Sequence, residues 1–287
     1  GFHSSKLILA YENKEFKINK DITIAPSLIE ILSATLKYLK AIVHIKNLCN
    51  YIKTEYKEYE CEIEVSIDET ETITTPFEHF FLVNELKNLN VEFVSLALRF
   101  IGDFEKGIDY KGDIEIFKKD YIVHQAIAKH FGNYKLSFHS GSDKFTAYKA
   151  VAEVNDWYIH IKTAGTSYLE ALKVAALKAP DLFREILDYS RSIYNTEKAT
   201  YHVSADIEKI KKGKDYTDDE LLPLMSIEDH RQVLHVAYGR VLTEKDAAGN
   251  YTFREKLYKC LDENENLYYD FLIKHFHRHM DPFNKQL

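Results

Sequence analysis

The sequence predicts an α/β protein, a (β/α)8 TIM-like barrel that this chain fills only in part, with about six βα units and the amino-terminal portion missing. Three observations carry this. Short segments alternate apolar and polar residues, the period of a half-buried strand. Helical spacing fills the stretches between them, at intervals of roughly 25–45 residues, as βα units require. Each segment also ends in a group able to do chemistry, and closed βα barrels place their sites at the carboxyl ends of their strands.

The elements follow in order. KLILAY (6–11) and EFKI (15–18) read as short strands around a polar turn. Pro26 opens a helix running to about Tyr56, with Ile29, Leu32, Leu36, Leu39 and Ile42 at helical spacing. Proline suits a first turn, where its missing N–H has no helical partner. Strand 61–68 puts Ile63, Val65 and Ile67 on one face and Glu64, Ser66 and Asp68 on the other. Helix 75–89 follows, then strand 91–98, which sends Ser95 and Arg99 to the polar side. A glycine-rich charged loop, 101–112, precedes helix 113–131. Strand 134–139 adds Lys135, Ser137 and His139 to the polar row. SGSD at 140–143 turns into helix 144–154, and strand 157–162 adds His160 and Lys162. TAGT then leads into a helix with a Ser167/Glu170 capping box, broken at Pro180 and resuming to about Asn195. Strand 200–204, the last, contributes His202 and Ser204. Beyond it, 206–219 is a charged loop, 230–242 fits either a helix or a strand, and 253–276 is a helix pair or one long helix. The expected organisation is one barrel-type domain over 1–287, with its βα core at 60–205 and a mostly helical carboxyl-terminal segment at 206–287.

Composition narrows the function. A net charge of −7 argues against a nucleic-acid partner, which needs a basic face. The three cysteines, Cys49, Cys61 and Cys260, form no CxxC pair, which suits a reducing cytoplasm and gives no cysteine metal site. No signal peptide is visible, and no apolar run approaches the ~18 residues of a membrane span.

A polar row enclosed by a barrel is costly unless chemistry uses it. A lone inward histidine is more often a satisfied core residue. Here His139, His160 and His202 lie on three neighbouring strands with Asp68 on a fourth. Imidazoles with a carboxylate suit a divalent ion such as Mn²⁺, Zn²⁺, Ni²⁺ or Co²⁺. Glu69 can replace Asp68 as the carboxylate if the strand end twists by one residue, and His235 is either a further ligand or a helix-packing residue. Lys162 and Lys135 are either Schiff-base lysines or ion-pair partners of Glu64 and Asp68. Lys162, at a strand end, is the better candidate for substrate contact. Arg99 suits a carboxylate ligand or a salt bridge to Asp103 or Glu105. The SGSDK and TAGTS loops precede helices, whose N-termini attract anions. Ser142, Lys144 and Thr166 therefore join Arg99 around a small anionic ligand. The histidines at 275, 277 and 279 read as surface or tail-packing residues.

Seven blocks follow one another in a distinctive order: VSIDET (65–70), TPFEHFF (75–81), SLALRFIGDFEKGIDYKGD (95–113), KLSFHSGSDKF (135–145), IHIKTAGTSYLEAL (159–172), ATYHVSAD (199–206) and RQVLHVAYG (231–239), before the closing HFHRHMDPF. On these the chain resembles the tagaturonate epimerase family over about residues 60–287. Family members carry a long region ahead of the part seen here, and they favour proline where this chain has Leu98. The resemblance implies a metal-dependent enzyme that interconverts D-tagaturonate and D-fructuronate at C4, by retro-aldol cleavage and re-addition. The resemblance does not assign each residue; the reading of the strands above puts a divalent ion at Glu69, His139, His160 and His235. Asp68, Lys162 and His202 would act on the substrate, and its partner would be a small sugar acid, with no nucleic acid and no membrane. The competing readings are a Schiff-base aldolase using Lys162 and a catalytically inactive sugar-acid binding module.

Overall fold

The computed structural model describes residues 4–154, 158–163 and 165–284. Where the sequence treats 1–287 as one domain, the backbone gathers into two compact units. One comprises Gly1–Gly102, Gly112–His139 and Ala150–Ile161; the other comprises Asp103–Lys111, Ser140–Lys149 and Lys162–Leu287.

The first unit opens with helix α1 (Ser4–Tyr11), where a strand is expected. Leu7 and Tyr11, four residues apart, are buried while Leu9 is 71% exposed, so the apolar residues serve a helical face and not an alternating one. Strands β1 (Phe16–Lys17) and β2 (Thr23–Ile24) pair antiparallel. Helix α2 (Leu28–Glu55) starts at a capping box in which Ser27 and Glu30 satisfy each other's end of the turn. Strand β3 (Glu64–Ser66), helix α3 (Pro76–Asn88, with a Thr75/Glu78 capping box), strand β4 (Ser95–Ala97), helix α4 (Ile114–His130) and strand β5 (Lys135–Phe138) then alternate. Helix α5 (Phe145–Ala152) and strand β6 (Ile159–Ile161) complete the series. Trp157, at the expected start of that last strand, lies outside the described residues, as does Ala164 of the TAGT loop.

Strands β3 to β6 form one parallel sheet in sequence order. The register aligns Val65, Leu96, Leu136 and Ile159 in one row and Ser66, Ala97, Ser137 and His160 in the next. Val65, Ile67, Leu96, Leu98, Leu136 and Phe138 are all buried. They meet α3 and α4, where Phe100 stacks on Phe138 with ring centres 4.7 Å apart. Leu98 shares this apolar face, so its side chain fills core space that a proline would fill less well, and it does so opposite the face that carries Arg99. The sheet is open among the described residues, with β3 and β6 as its edges, and it is not a closed barrel. A barrel needs more strands than this chain supplies.

Beneath the sheet, His79 of α3 and His124 of α4 are fully buried, with their Nδ1 atoms 3.0 Å apart. One proton must lie between two such nitrogens, so one ring donates and the other accepts. Tyr134 holds the other nitrogen of His79 at 2.6 Å.

The second unit is mostly helical. Helix α6 (Thr166–Lys178) is followed by α7 (Pro180–Glu197), with the break at the expected proline. Gly165 caps α6 without a side-chain bond, so the expected Ser167/Glu170 box does not form. Glu170 is buried and takes both carboxylate bonds from Lys173 instead. Helices α8 (Asp218–Leu224), α9 (Glu228–Val236), α10 (Tyr238–Thr243), α11 (Arg254–Asp262) and α12 (Glu265–Met280) follow, which settles 230–242 as helical. Leu182, Phe183, Ile186, Leu187 and Tyr194 of α7 pack against Leu221, Val233 and Leu257.

No strand forms at 200–204 among the described residues. A short helical turn at Lys198–Thr200 leads into extended chain, and the Ser204 amide donates to side-chain oxygens of Glu105 and Gln232. Carboxylate and amide side chains replace the neighbouring strand that the alternation would need. No described helix is long and apolar enough to cross a membrane. Cys49, Cys61 and Cys260 are all free.

Candidate active site on the polar face of the sheet

Alternation sends Glu64, Ser95, Ala97, Ser137 and His160 to one face, with Asp68 and His139 just beyond the strand ends. Glu64 is the centre of the cluster. Its Oε1 lies 2.7 Å from His139 Nε2, and its Oε2 lies 2.5 Å from His160 Nδ1. Ser95 donates to Oε2 at 2.6 Å. Asp68 Oδ1 lies 3.1 Å from His139 Nδ1 and accepts from Ser66 at 2.6 Å. Ser137 is 3.1 Å from His160 Nδ1.

Size explains how an edge residue reaches so far. Strands are about 4.8 Å apart, so His139 and His160 stand about two and three spacings from Glu64. Between them on this face Ser95, Ala97 and Ser137 are small and buried, and the longer Lys135 is turned to the Tyr158 ring. Long side chains lean over them and meet above the sheet. Replacing Ala97 by Leu is expected to fill that space and separate Glu64 from both histidines. Measured together, turnover should fall at least tenfold while the far-ultraviolet circular dichroism stays unchanged.

Burial alone would raise the Glu64 pKa. The bonds from Ser95, His139, His160 and Ser137 outweigh it and pull the carboxyl down to about 2. Asp68 is likewise raised by burial, yet lowered on balance by His139 and Ser66. Both are carboxylates at neutral pH. His139 therefore has a carboxylate on each ring nitrogen, and His160 has one on Nδ1. If Nδ1–H of His139 donates to Asp68, the Nε2 lone pair faces Glu64 at 2.7 Å, a contact that only a proton or a cation can hold. Two imidazoles and a carboxylate form a donor set for divalent transition metals, with Asp68 orienting His139 from behind. Among the described residues no group of three or more such side chains is already spaced to hold an ion.

The expected residues divide sharply. Asp68, His139 and His160 come together. Glu69 is exposed, and Glu64, on the same polar face, takes the place expected of it. Arg99 is half-buried, with no ion-pair partner among the described residues; its backbone is tied to Thr74. The alternative partners, Asp103 and Glu105, are engaged by His202 and by Ser204 and Gln232. Lys135 sits over the Tyr158 ring and not against Glu64. Lys162 is exposed, which removes the desolvation a Schiff-base lysine needs.

The second unit holds the others. His202 is exposed and 3.1 Å from Asp103. Lys144 is fully buried, and its ammonium donates to the carbonyls of Glu105, Ile108 and Ser142. All three protons are used, so it anchors backbone and does not bind a substrate carboxylate. Burial brings its pKa down to about 7. Ser142 and Thr166 are buried and bonded to each other at 3.1 Å, and Thr166 also meets His275 at 2.9 Å. The loops turn these hydroxyls into the interior. His275 and His279, four residues apart on α12, are buried, and His279 accepts the Asp143 amide. That i, i+4 spacing places both rings on one face of the helix.

His235 is a packing residue, buried against Gly107 and Gly165. Burial, then the charges of Lys106 and Arg231, lowers its pKa to about 4. Gly165 has φ +92°, and an added Cβ would lie 2.9 Å from His235 Nε2. Gly165→Ala is therefore expected to cost about 1–3 kcal/mol in urea unfolding, from strain and the clash together.

Comparison with known proteins identifies the family. A family model described as tagaturonate epimerase matches residues 3–283. The tagaturonate/fructuronate epimerase of Thermotoga maritima is 45% identical over 248 residues, covering 86% of this chain and 50% of its own length. Crystal structures of fructuronate-tagaturonate epimerase from Cohnella laeviribosi, native and with one glycerol, superpose with TM-scores of 0.90 and 0.91 at 37% identity. Each is matched over 98% of this chain and 56% of its own. The chain thus spans about half the length of the curated relative it matches. On the family match over nearly its whole length, the chain belongs to the tagaturonate epimerase family, a family of isomerases.

Proposed function

We propose that the protein interconverts D-tagaturonate and D-fructuronate at C4, with a divalent metal ion held by Glu64, His139 and His160. The observation that carries this is the Glu64 carboxylate facing two imidazole nitrogens at 2.5 and 2.7 Å. The two sugars differ at the carbon β to the ketone, counting the ketone as C2. Simple enolisation does not acidify that C–H. Breaking C3–C4 avoids the problem. The C4 hydroxyl loses its proton, C4 becomes an aldehyde, and the C3–C4 electron pair becomes the C2–C3 double bond of an enediolate. The aldehyde turns over, the bond re-forms on its other face, and the oxygen regains its proton.

A bound divalent ion supplies Lewis-acid polarisation of the ketone. Asp68, which accepts from His139 and Ser66, is the carboxylate that takes and returns the hydroxyl proton. Arg99, free of a described ion-pair partner, suits the uronate carboxylate. We further place the open sheet in a larger βα barrel, continued beyond the edges of β3 and β6. Three free cysteines fit a reducing cytoplasm.

The test is turnover of D-tagaturonate by protein stripped with EDTA and refilled with Mn²⁺, Zn²⁺, Ni²⁺ or Co²⁺. D-Fructuronate should appear only after refilling, and His139→Ala should lose both bound metal and turnover. Activity indifferent to EDTA, with borohydride trapping of the ketose, would establish a lysine aldolase instead. Sugar-acid binding without turnover in every metal would establish an inactive module.

A further inference from the structure

The protein is acidic overall, yet residues 209–214 (KIKKGK) hold four lysines. This run borders a cavity of about 340 Å³ in the second unit, lined by Asp188, Arg191, Ser192, Ile207 and Lys212. That volume falls at the lower end of small-molecule sites. Arg191 is three-quarters buried there and poorly used. Its buried Nε has no partner, and its ion pair to Asp188, at 3.7 Å, is longer than a hydrogen bond. The contrast with Arg184, one turn and more earlier on α7, is direct: that guanidinium bonds the Tyr216 carbonyl, Asp181 and Asp218.

Asp188 is already occupied by the Gly213 amide at 2.8 Å, which fixes the lysine-bearing turn to α7. The Ser192 hydroxyl is turned to the Tyr189 carbonyl. Lys212 is exposed at the mouth and has no ion-pair partner among the described residues. On α9, His230 is 4% exposed with its Nδ1 unpartnered, while its Nε2 meets Tyr216 at 2.9 Å. Burial, and then the Arg191 charge against that of Asp229, keeps this ring neutral and acting on the same region. A guanidinium with idle donors is expensive to bury without an acceptor. A planar fork beside a flexible ammonium brings two positive charges to one ligand, which suits the higher charge and additional oxygens of a phosphate over a single carboxylate.

We propose that Arg191 and Lys212 form a second, non-catalytic site that binds the phosphate group of a small anion. It is independent of the epimerase reading, since it uses none of those residues. Isothermal titration of the protein with sodium phosphate and with glycerol 3-phosphate separates the free ion from an ester. Sodium gluconate tests carboxylates, and sodium chloride at equal ionic strength tests screening. Saturable binding of phosphate or of the ester is expected, at least tenfold weaker in both Arg191→Gln and Lys212→Gln. If Arg191→Gln fails to fold by circular dichroism, the exposed Lys212→Gln decides the matter alone. Heats that follow ionic strength only, affinity unchanged in the variants, or gluconate binding as tightly as phosphate would each overturn the assignment.

Discussion

Glu64→Gln is expected to lower kcat by about a thousandfold or more, the upper range for loss of a group engaged in proton or charge handling. The amide keeps the shape of the carboxylate and removes its charge. It cannot hold the proton or cation between itself and His139 at 2.7 Å, nor accept equally from His160 at 2.5 Å. Ser95, which donates to the same oxygen, would lose its strongest acceptor. Stability should change far less than activity, because Glu64 is a quarter exposed and lies on the polar face. The measurement is kcat and KM for D-tagaturonate beside bound metal and urea midpoint. Full turnover in the Gln variant would remove Glu64 from the centre of the site. A lost midpoint with unchanged specific activity would make it structural.

Acid should unfold the protein well before its carboxylates are protonated. His79, His235 and His275 are all buried, and burial is the leading cause that lowers each pKa, to about 4 for His235 and His275. An unfolded histidine has its ordinary value of 6.5. Between pH 6.5 and about 4 the unfolded chain therefore binds protons that the fold refuses, and stability falls as pH falls. The stability is complete above 6.5 and is lost on the way down to 4. His235 alone accounts for about 3 kcal/mol across that window. The His79–His124 contact sharpens the effect, since a second proton would set two donors face to face at 3.0 Å. Urea unfolding between pH 7.5 and 4.5 reads the slope directly. His235→Asn, which does not titrate, should flatten it; an unchanged slope would mean that His235 gains its proton freely in the fold.

The resemblance to the epimerase family was legible because long blocks such as KLSFHSGSDKF survive in order. Strand alternation was legible as well. It set Asp68 and His139 on the polar side and Val65 and Leu96 in the core, because backbone geometry fixes which way successive side chains point. The helix expected to open at Pro26 is there, but Ser27 is its cap and Pro26 stands before it, outside the first turn.

Pairing was not local. KLILAY reads as a short strand yet folds as a helix, because what decides it is which of Leu7, Leu9 and Tyr11 finds a buried partner. Residues 200–204 alternate, but the Ser204 amide meets Glu105 and Gln232 and no sheet forms there. Charge at a strand or helix end was equally ambiguous. Lys144 and Thr166 carry the right chemistry for an anion, and the fold spends it on carbonyls and on His275. Sequence alone determined the family and the face on which each strand residue lies, since both are written in residue order. Only tertiary structure made Glu64 the residue that joins His139 to His160, because that contact depends on three small neighbours from adjacent strands clearing its path.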